Sequence, residues 1–464
     1  MRKIGKYTVV GLLGKGGMSS VYKVQMPITG KVVALKHLQP SEPLLMVMGM
    51  ERLQRLFTSE AITMARLQHP HIAGIMDFDH DASGIPFYTM EYYCGNLGAL
   101  IGEHVEPERP TRIMTPQLVF RYGRQIMAGL FCLHNAHIIH RDIKPYNMMI
   151  DEGNQIKICD FGLSKLHGEP FATPSAMQVG SPYYVAPEQS SAPDEVDERA
   201  DIYSLGVTIF RMISGQLPRA GRRASSINPL IDGAWDAFFK CCLASKPEGR
   251  FASVFEARKA FEQLAGHWRK RRLTDCQLVD IGKEEIKRKG EALRSEGQKV
   301  APRQAREVFQ LDERRSPLLW RQNDFRRVNR ELIHDALSGL TWQKNGSEFP
   351  FSWEEGNDYI RGLNLEAWQG QTNWRLPTVD ELLSLLGPND DLAQSCRRQF
   401  FSPRQSSLWS SDTRSVLAAW YVNLDFSFVE SRDKSCRNFV RAVCSSFSSG
   451  IEPDEKNGIW GSKQ

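Results

Sequence analysis

Short β-type runs come first along the chain, and longer helical patterns follow them. The strand-like runs cover Tyr7–Leu13, Ser20–Gln25 and Val32–His37, and the helical patterns cover Gln117–His134 and Asp201–Ile213. Because strands that precede helices segregate into separate layers, this order predicts an α+β unit with two lobes. The sequence contains no internal repeat.

A polar, charged stretch divides the 464-residue chain. Residues 266–315 carry fourteen Lys or Arg and nine Asp or Glu, and this excess equals the net charge of +5 of the whole protein. The flanking regions are therefore neutral together, so we expect no nucleic-acid-binding face. We interpret 266–315 as a basic, partly helical linker between a unit at 1–265 and a domain at 316–446, with a flexible tail at 447–464. The alternative is contact of 266–315 with an acidic partner or a membrane surface.

The composition is that of a folded globular protein, with 41% hydrophobic and 24% charged residues. The first residues, Met1 to Tyr7, lack the apolar core of a signal peptide. The sequence contains no run of about eighteen apolar residues, the length that would cross a bilayer. We therefore expect a cytoplasmic protein without a transmembrane segment.

A glycine-rich hairpin lies between the first two strand-like runs. Gly14–Val21 reads Gly-Lys-Gly-Gly-Met-Ser-Ser-Val, and bare backbone N–H groups in such a loop can close over phosphates. Alone it indicates little, because hairpin glycines more often only form a turn. Lys36 ends an apolar strand and Glu60 opens a helical stretch. A strand lysine held by a helix glutamate can neutralise phosphate charge.

Two later segments supply what phosphoryl transfer needs: a carboxylate at the attacking hydroxyl, oxygen ligands for magnesium, and cations over the migrating phosphate. His140–Asn147 reads His-Arg-Asp-Ile-Lys-Pro-Tyr-Asn, and Asp160-Phe161-Gly162 follows thirteen residues later. Ala186-Pro187-Glu188, Asp201–Gly206 and Arg250 stand further on. Chance production of this ordered set is far less probable than that of any one part.

Residues from about 5 to 265 resemble the eukaryotic-type Ser/Thr protein kinases of bacteria, with the motifs in family order. The resemblance implies a two-lobed kinase fold, ATP and Mg²⁺ as cofactors, and protein substrates as partners. It assigns roles to the charged residues: Asp142 as the catalytic base, Lys144 on the γ-phosphate, Asn147 and Asp160 as magnesium ligands, and Lys36 on the phosphates while paired with Glu60.

The same resemblance outlines a nucleotide pocket and three structural residues. Glu188 and Arg250 resemble an ion pair that braces the C-terminal lobe, and Asp201 resembles the residue that ties down the catalytic loop. The implied pocket comprises the loop glycines Gly14 and Gly16, adenine contacts Leu13, Val21, Ala34 and Met149, gatekeeper Met90, a hinge from Glu91 to Tyr93, and Cys159 facing the pocket.

Specificity and regulation also follow from the resemblance. Lys144, two residues after the base, resembles the Ser/Thr-specific pattern, and Ser181 matches a hydroxyl residue that contacts the catalytic loop. Arg141 resembles kinases whose activation segment is ordered by a phosphate, so we hypothesise phosphorylation at Thr173 or Ser175.

One position departs from the family pattern, because Ser19 replaces the third glycine of the nucleotide loop. A Cβ at the loop tip would hinder close backbone approach to the nucleotide. The rival hypothesis is therefore a catalytically dead scaffold that binds nucleotide and partners.

Residues 316–446 hold short strands, turns and most of the ten tryptophans. Gly339–Gln343, Trp374–Thr378 and Ala419–Val422 resemble the bacterial Lcl C-terminal domain family, a C-type-lectin-like group. We expect the aromatic residues to form a core. The stretch Arg404–Arg437 suits either a binding surface for a ligand or protein, or a solvated loop. A further hypothesis makes this domain the main activity, with the kinase as its regulator.

Overall fold

The chain folds into two compact units, Met1–Asp280 and Ile281–Gln464, hereafter the first unit and the second unit. The computed structural model describes residues 2–103, 108–160, 165–166, 183–276, 293–321, 323–386, 400–402 and 405–445. The tail expected at 447–464 lies outside the described residues.

A six-stranded antiparallel sheet begins the first unit, with strand order β1-β2-β3-β4-β6-β5. Side chains at alternate positions of its strands, such as Tyr22 and Val24 or Val33 and Leu35, pack into one buried cluster. The three predicted strands agree with β2, β3 and β4 to within two residues. The bounds are β1 Lys3–Ile4, β2 Tyr7–Lys15, β3 Ser19–Gln25, β4 Val32–Leu38, α1 Glu42–Met48, α2 Met50–Arg66, β5 Ile75–His80 and β6 Pro86–Glu91.

Helices dominate the rest of the first unit, as the helical patterns predict. Short strand pairs lie among them: β7, β9 and β10 form one small sheet, and β8 pairs with β11. The bounds are β7 Gly95–Asn96, α3 Leu97–Ile101, α4 Pro116–Asn135, β8 Ile138–Ile139, β9 Met148–Ile150, β10 Ile156–Ile158, β11 Lys165–Leu166, α5 Pro187–Ser191, α6 Arg199–Ser214, α7 Gly233–Cys242 and α8 Val254–Cys276.

Helix α6 is the core helix of this part, because fourteen of its sixteen residues are buried. Gly206 allows the close approach of α7, since a Cβ there would lie 2.5 Å from the Cβ of Cys242. The helix ends at Gly215, whose φ of 68° closes the last turn in the left-handed conformation. Charged side chains on α6 are therefore fixed inside the protein.

The second unit is rich in strands and is built on two antiparallel sheets, β12-β13-β14-β18 and β15-β16-β17. Its core includes Trp342 and Trp420, one from each sheet. The bounds are α9 Ala305–Val308, β12 Phe325–Arg327, β13 Leu332–Asp335, β14 Leu340–Gln343, α10 Trp353–Leu365, α11 Val379–Ser384, β15 Ser407–Thr413, β16 Ala418–Asn423, β17 Phe428–Asp433 and β18 Val443–Cys444.

The segment predicted as a partly helical linker, 266–315, includes residues that belong to the two folded units. Helix α8 continues through Cys276, and Val300, Phe309 and Leu311 are core residues of the second unit, each 2% exposed. The high charge of the segment concealed these widely spaced apolar positions. The remaining part, 277–292, lies outside the described residues.

The Trp374–Thr378 motif stabilises the second unit, as the core interpretation of its aromatic residues predicts. Trp374 is buried, and Arg375 forms two hydrogen bonds with the buried carboxylate of Glu381, at 2.6 and 2.5 Å. The hydroxyl of Thr378 accepts a hydrogen bond from the backbone N–H of Glu381, which caps α11. The motif thus fixes the start of a helix.

None of the helices in the described ranges is both long enough and apolar enough to cross a membrane.

The packing of residues 293–315 predicts that Phe309→Ala destabilises the second unit. The ring of Phe309 meets that of Trp420 edge-on, with centroids 5.4 Å apart. Its removal should lower the free energy of unfolding by about 3–5 kcal/mol, the usual cost of emptying an aromatic core site. Urea unfolding of the full chain, followed by tryptophan fluorescence, measures this loss.

Arg303→Ala is the matched control, because Arg303 is exposed in the same segment. It should change stability by no more than about 0.5 kcal/mol. Equal, small effects of both substitutions would place this segment outside the core.

Candidate active site

A buried ammonium group joins the sheet to helix α2. Lys36 on β4 places Nζ 2.7 Å from Oε1 of Glu60 on α2 and 3.0 Å from Oδ1 of Asp160. The Tyr88 hydroxyl also donates to Oε1 of Glu60, at 3.0 Å. Burial alone would lower the pKa of Lys36, but the charges of Asp160 and Glu60 raise it well above its ordinary value. Lys36 is therefore a fixed cation.

A second group of polar side chains surrounds Asp142, in the loop after β8. Lys144 Nζ donates to Oδ2 of Asp142 at 2.7 Å, and Asn147 Nδ2 donates to the same oxygen at 2.9 Å. Asn147 Nδ2 also lies 2.8 Å from the Asp142 backbone carbonyl. These contacts fix the carboxylate beside a cation and leave the amide oxygen of Asn147 as an available metal ligand.

Asp201, near the start of α6, holds the loop that carries Asp142. It is fully buried, and its carboxylate accepts hydrogen bonds from the backbone N–H groups of His140, at 2.9 Å, and Arg141, at 2.8 Å. His134 Nε2 lies 2.9 Å from the same carboxylate. Burial opposes the charged form of Asp201, yet these hydrogen bonds hold its pKa below the ordinary value.

The backbone of this region is held in an unusual conformation. Arg141 and Asp160 have φ angles of 68° and 67°, in the left-handed region that residues with a Cβ rarely adopt. His140, the residue before Arg141, links the two segments. Its Nε2 lies 3.1 Å from the carbonyl oxygen of Cys159, the residue before Asp160. Asp160 is thus placed opposite Lys36 by its neighbours.

The nucleotide loop corrects one expectation. Ser19 does not stand at the loop tip: it begins β3, pairs with Leu38 on β4, and is 7% exposed. Its carbonyl accepts a hydrogen bond from the N–H of Gly16, at 2.8 Å. Its Cβ is therefore directed by the strand, and the loop tip consists of residues 16–18.

Val21, Ala34 and Met90 lie on neighbouring strands of the six-stranded sheet, whereas Met149 lies on β9 in the small sheet. Val21 pairs with Lys36 and with Gly14, and Ala34 pairs with Met90. The backbone partner of Glu91 is Val33, and that of Met149 is Lys157.

The exposure of the pocket residues differs from position to position. Leu13 is 45% exposed on β2, and Tyr93 follows β6 with intermediate burial. Cys159 is buried, and its N–H donates to the Asn147 carbonyl at 3.0 Å. Phe161, Gly162, Thr173, Ser175 and Ser181 lie outside the described residues, so phosphorylation at Thr173 or Ser175 stays a prediction.

Glu188 and Arg250 form a two-point ion pair, with Nη1 2.5 Å from Oε1 and Nη2 2.7 Å from Oε2. Arg250 also donates to the carbonyls of Ala244 and Arg199, and its guanidinium lies 4.9 Å from the ring centroid of Tyr203. The pair joins α5 to the segment before α8.

Sequence reasoning missed Tyr88 and His134, which contact Glu60 and Asp201. Neither residue lies in a glycine-rich or charged motif, and their partners are 28 and 67 residues away in the sequence. The position of His134 at the end of a predicted helix, just before the catalytic segment, was the only available signal.

Residues 7–279, more than half of the chain, match the protein kinase domain family. The chain therefore belongs to this family, and the expected kinase membership is confirmed. Residues 331–444 match the Lcl C-terminal domain.

The curated relatives are bacterial kinases. The chain is 31% identical to Serine/threonine-protein kinase A of Synechocystis sp. over 60% of this chain and 56% of that protein. It is 30% identical to Serine/threonine-protein kinase PrkC of Bacillus subtilis over 48% of this chain and 32% of that protein. The chain thus spans from about a third to about half of the length of these relatives.

Among solved structures, the PknI kinase domain of Mycobacterium tuberculosis is 28% identical, with a TM-score of 0.45. The match covers 57% of this chain and 98% of that domain.

The Glu188–Arg250 pair predicts a large stability loss for Glu188→Gln. The side chain of Arg250 is fully buried, so removing its counter-charge should cost about 3–5 kcal/mol. Calorimetry of the full chain should show a lower transition temperature for the first unit.

The exposed Glu51–Arg55 pair provides the control, since its 2.8 Å ion pair lies in solvent. Glu51→Gln should cost at most about 0.5 kcal/mol. A Glu188→Gln protein as stable as this control would show that the buried pair does not brace the unit.

Proposed function

We propose that the protein transfers the γ-phosphate of ATP to Ser or Thr hydroxyls of proteins. The observation that carries this proposal is the pairing of Lys36 with Glu60 and Asp160 in the same unit that fixes Asp142 beside Lys144. The nucleotide-binding lysine is already fixed by its ion pairs, and the Asp142 carboxylate already lies beside a cation. Both features favour an active enzyme over a dead scaffold.

Each residue has a role that its contacts support. Asp142 accepts the proton of the acceptor hydroxyl, and Lys144, 2.7 Å from it, stabilises charge on the γ-phosphate. Lys36 binds the other phosphates as a permanent cation, and Glu60 keeps it in place. The backbone of the loop at residues 16–18, between β2 and β3, covers the phosphates.

The donor set around Asp160 fits magnesium. Asp160 offers a half-exposed carboxylate, and Asn147 offers an amide oxygen, because its nitrogen is engaged by Asp142. Hard oxygen ligands of this kind suit Mg²⁺. When bound, the ion neutralises negative charge on the phosphates. Lys36 lowers the pKa of Asp160, which keeps this carboxylate ionised for binding.

The second unit is proposed to be a C-type-lectin-like recognition domain for a ligand or a protein partner. Polar side chains over aromatic rings support this role: Lys434 Nζ lies 3.7 Å from the ring centroid of Trp353, and the guanidinium of Arg432 lies 4.2 Å from that of Tyr421. Arg432 also hydrogen-bonds Asn438 and the Tyr421 hydroxyl. Such amphipathic groups are frequent at recognition surfaces.

The base assignment predicts that Asp142→Asn lowers phosphate transfer by about 10²- to 10⁴-fold, because proton acceptance is lost. ATP binding should persist, since Asp142 is assigned to the acceptor hydroxyl. Transfer from radiolabelled ATP to a degenerate Ser/Thr peptide library measures the first quantity, and calorimetric titration with ATP and Mg²⁺ measures the second.

Asp79→Asn is the control, because Asp79 is an exposed carboxylate on β5 of the same unit. It should transfer phosphate at the wild-type rate. Transfer by Asp142→Asn within threefold of this control would rule out the assigned base.

The recognition proposal predicts that Arg432→Ala with Lys434→Ala lowers phosphorylation of native protein targets severalfold while short-peptide turnover is unchanged. Quantitative phosphoproteomics of cells carrying each variant measures the former. Arg326→Ala is the control, because Arg326 is an exposed arginine of the second unit paired with Asp324. Equal target phosphorylation in cells that carry the wild type, the double variant and the Arg326→Ala control would contradict a recognition role for this surface.

A further inference from the structure

Three large apolar residues are exposed in succession on the second unit, which no other part of the described chain repeats. Leu318, Leu319 and Trp320 expose 61%, 54% and 38% of their surfaces. Val308 of α9, which lines the same hollow as Leu319, is also exposed. Single exposed apolar side chains are ordinary, but a contiguous group on a folded domain marks an interaction surface. We call these four residues the apolar patch.

Hydrogen bonds fix the backbone on both sides of the apolar patch. Before it, the N–H of Leu318 donates to the carbonyl of Gln310 at 2.9 Å. After it, the side-chain amide of Asn323 donates to the carbonyl of Ser384 at 2.6 Å. Because the backbone is already ordered, little conformational entropy is lost when a partner binds to the patch.

A hollow of about 70 Å³ lies beside the apolar patch. The patch residues Val308 and Leu319 line it, together with Phe309 and Leu383. Since one water needs roughly 10–15 Å³ of such space, the hollow has room for an apolar side chain of leucine size. Leu318, the most exposed residue of the patch, does not line the hollow of its own chain. It is therefore available to fill the same hollow in another molecule.

Both signs of charge lie at this hollow, because Arg321 and Asp380 also line it. Burial raises the pKa of Asp380, and the charges of Arg294 and Arg321 act against this rise. Arg294 binds the Asp380 carboxylate directly, at 2.9 Å. A surface that carries a cation next to a carboxylate can face a copy of itself, because a two-fold rotation places each cation opposite the carboxylate of the other copy.

We propose that the apolar patch and the hollow form the interface of a symmetric dimer of this chain, in which Leu318 of each protomer enters the hollow of the other and Arg321 of each faces the partner's Asp380. A second copy is the occupant that this surface favours, since the projecting side chain, the hollow that fits it and both charges lie together, as a two-fold interface requires. The patch is small beside the roughly 800 Å² per partner of a stable complex, so the dimer should dissociate readily. The inference goes beyond the proposed kinase function and does not depend on it.

Sedimentation velocity of the full chain tests the dimer. Wild-type protein should pass from monomer to dimer as its concentration rises from about 1 to about 100 μM, the range expected for a small interface. Leu318→Asp should raise the dissociation constant about a hundredfold, because the dimer loses two apolar contacts and gains two buried carboxylates. Leu365→Asp is the matched control, since Leu365 is an exposed leucine at the end of α10 in the same unit, and it should dimerise as the wild type does.

Exchanged charges test the two-fold arrangement. Arg321→Glu and Asp380→Lys should each raise the dissociation constant at least about tenfold, because like charges then meet at two places. An equimolar mixture of the two variants should dimerise again, since opposite charges face each other at both places of the mixed dimer. The melting temperature of each variant is measured alongside. If Asp380→Lys does not fold because Arg294 loses its partner, Leu318→Asp and Arg321→Glu still decide the question.

Three results would overturn the inference. Wild-type protein that stays monomeric over the whole concentration range has no such interface, and the patch then serves another partner. Dimers that Leu318→Asp and Leu365→Asp leave equally intact form through another surface. A mixture that stays monomeric while both charge variants are folded would exclude the two-fold pairing of Arg321 with Asp380. Because sedimentation measures mass alone, each of these outcomes leaves the proposed phosphate transfer as it stands.

Discussion

The catalytic part of the first unit depends on a charge that is buried where water cannot solvate it. Asp201 is tolerated inside the protein because two backbone N–H groups and His134 bind its carboxylate. The same hydrogen bonds determine the path of the loop that carries Asp142. Since Asp201 belongs to α6, which is buried along almost its whole length, the loop takes its position from a helix in the core of the unit.

The roles of charged residues could be predicted from the sequence where these residues lie in short motifs. The motif spacing in the sequence already indicates a role in phosphate chemistry for Lys36, Asp142 and Asn147. In the structure Lys36 lies beside Glu60, and Asp142 lies beside Lys144. The contacts of the buried Glu103 could not be predicted in this way. They reach Tyr146, Tyr184 and Arg211, which lie 43, 81 and 108 residues away in the sequence, and only tertiary packing brings them together.

The average charge of residues 266–315 did not reveal the few apolar residues that this segment buries. Counting charges over 266–315 predicted a solvated segment, but a few apolar side chains such as Phe309 were sufficient to place its later part in a core. Arg294 of that segment is itself part of the fold, because it binds the buried carboxylate of Asp412 at 2.7 and 2.9 Å. Average polarity therefore says less about a segment than the spacing of its largest apolar residues.

The left-handed backbone at Arg141 and Asp160 has a consequence for the order of folding. Each such residue lies about 1 kcal/mol or more above its relaxed conformation, so an isolated loop would not adopt this shape. The loop acquires it only when Asp201 and His140 are already in place to hold it. We therefore expect this loop to take its native shape late in folding, after helix α6 has been enclosed, so that a partly folded chain would lack the proposed catalytic site.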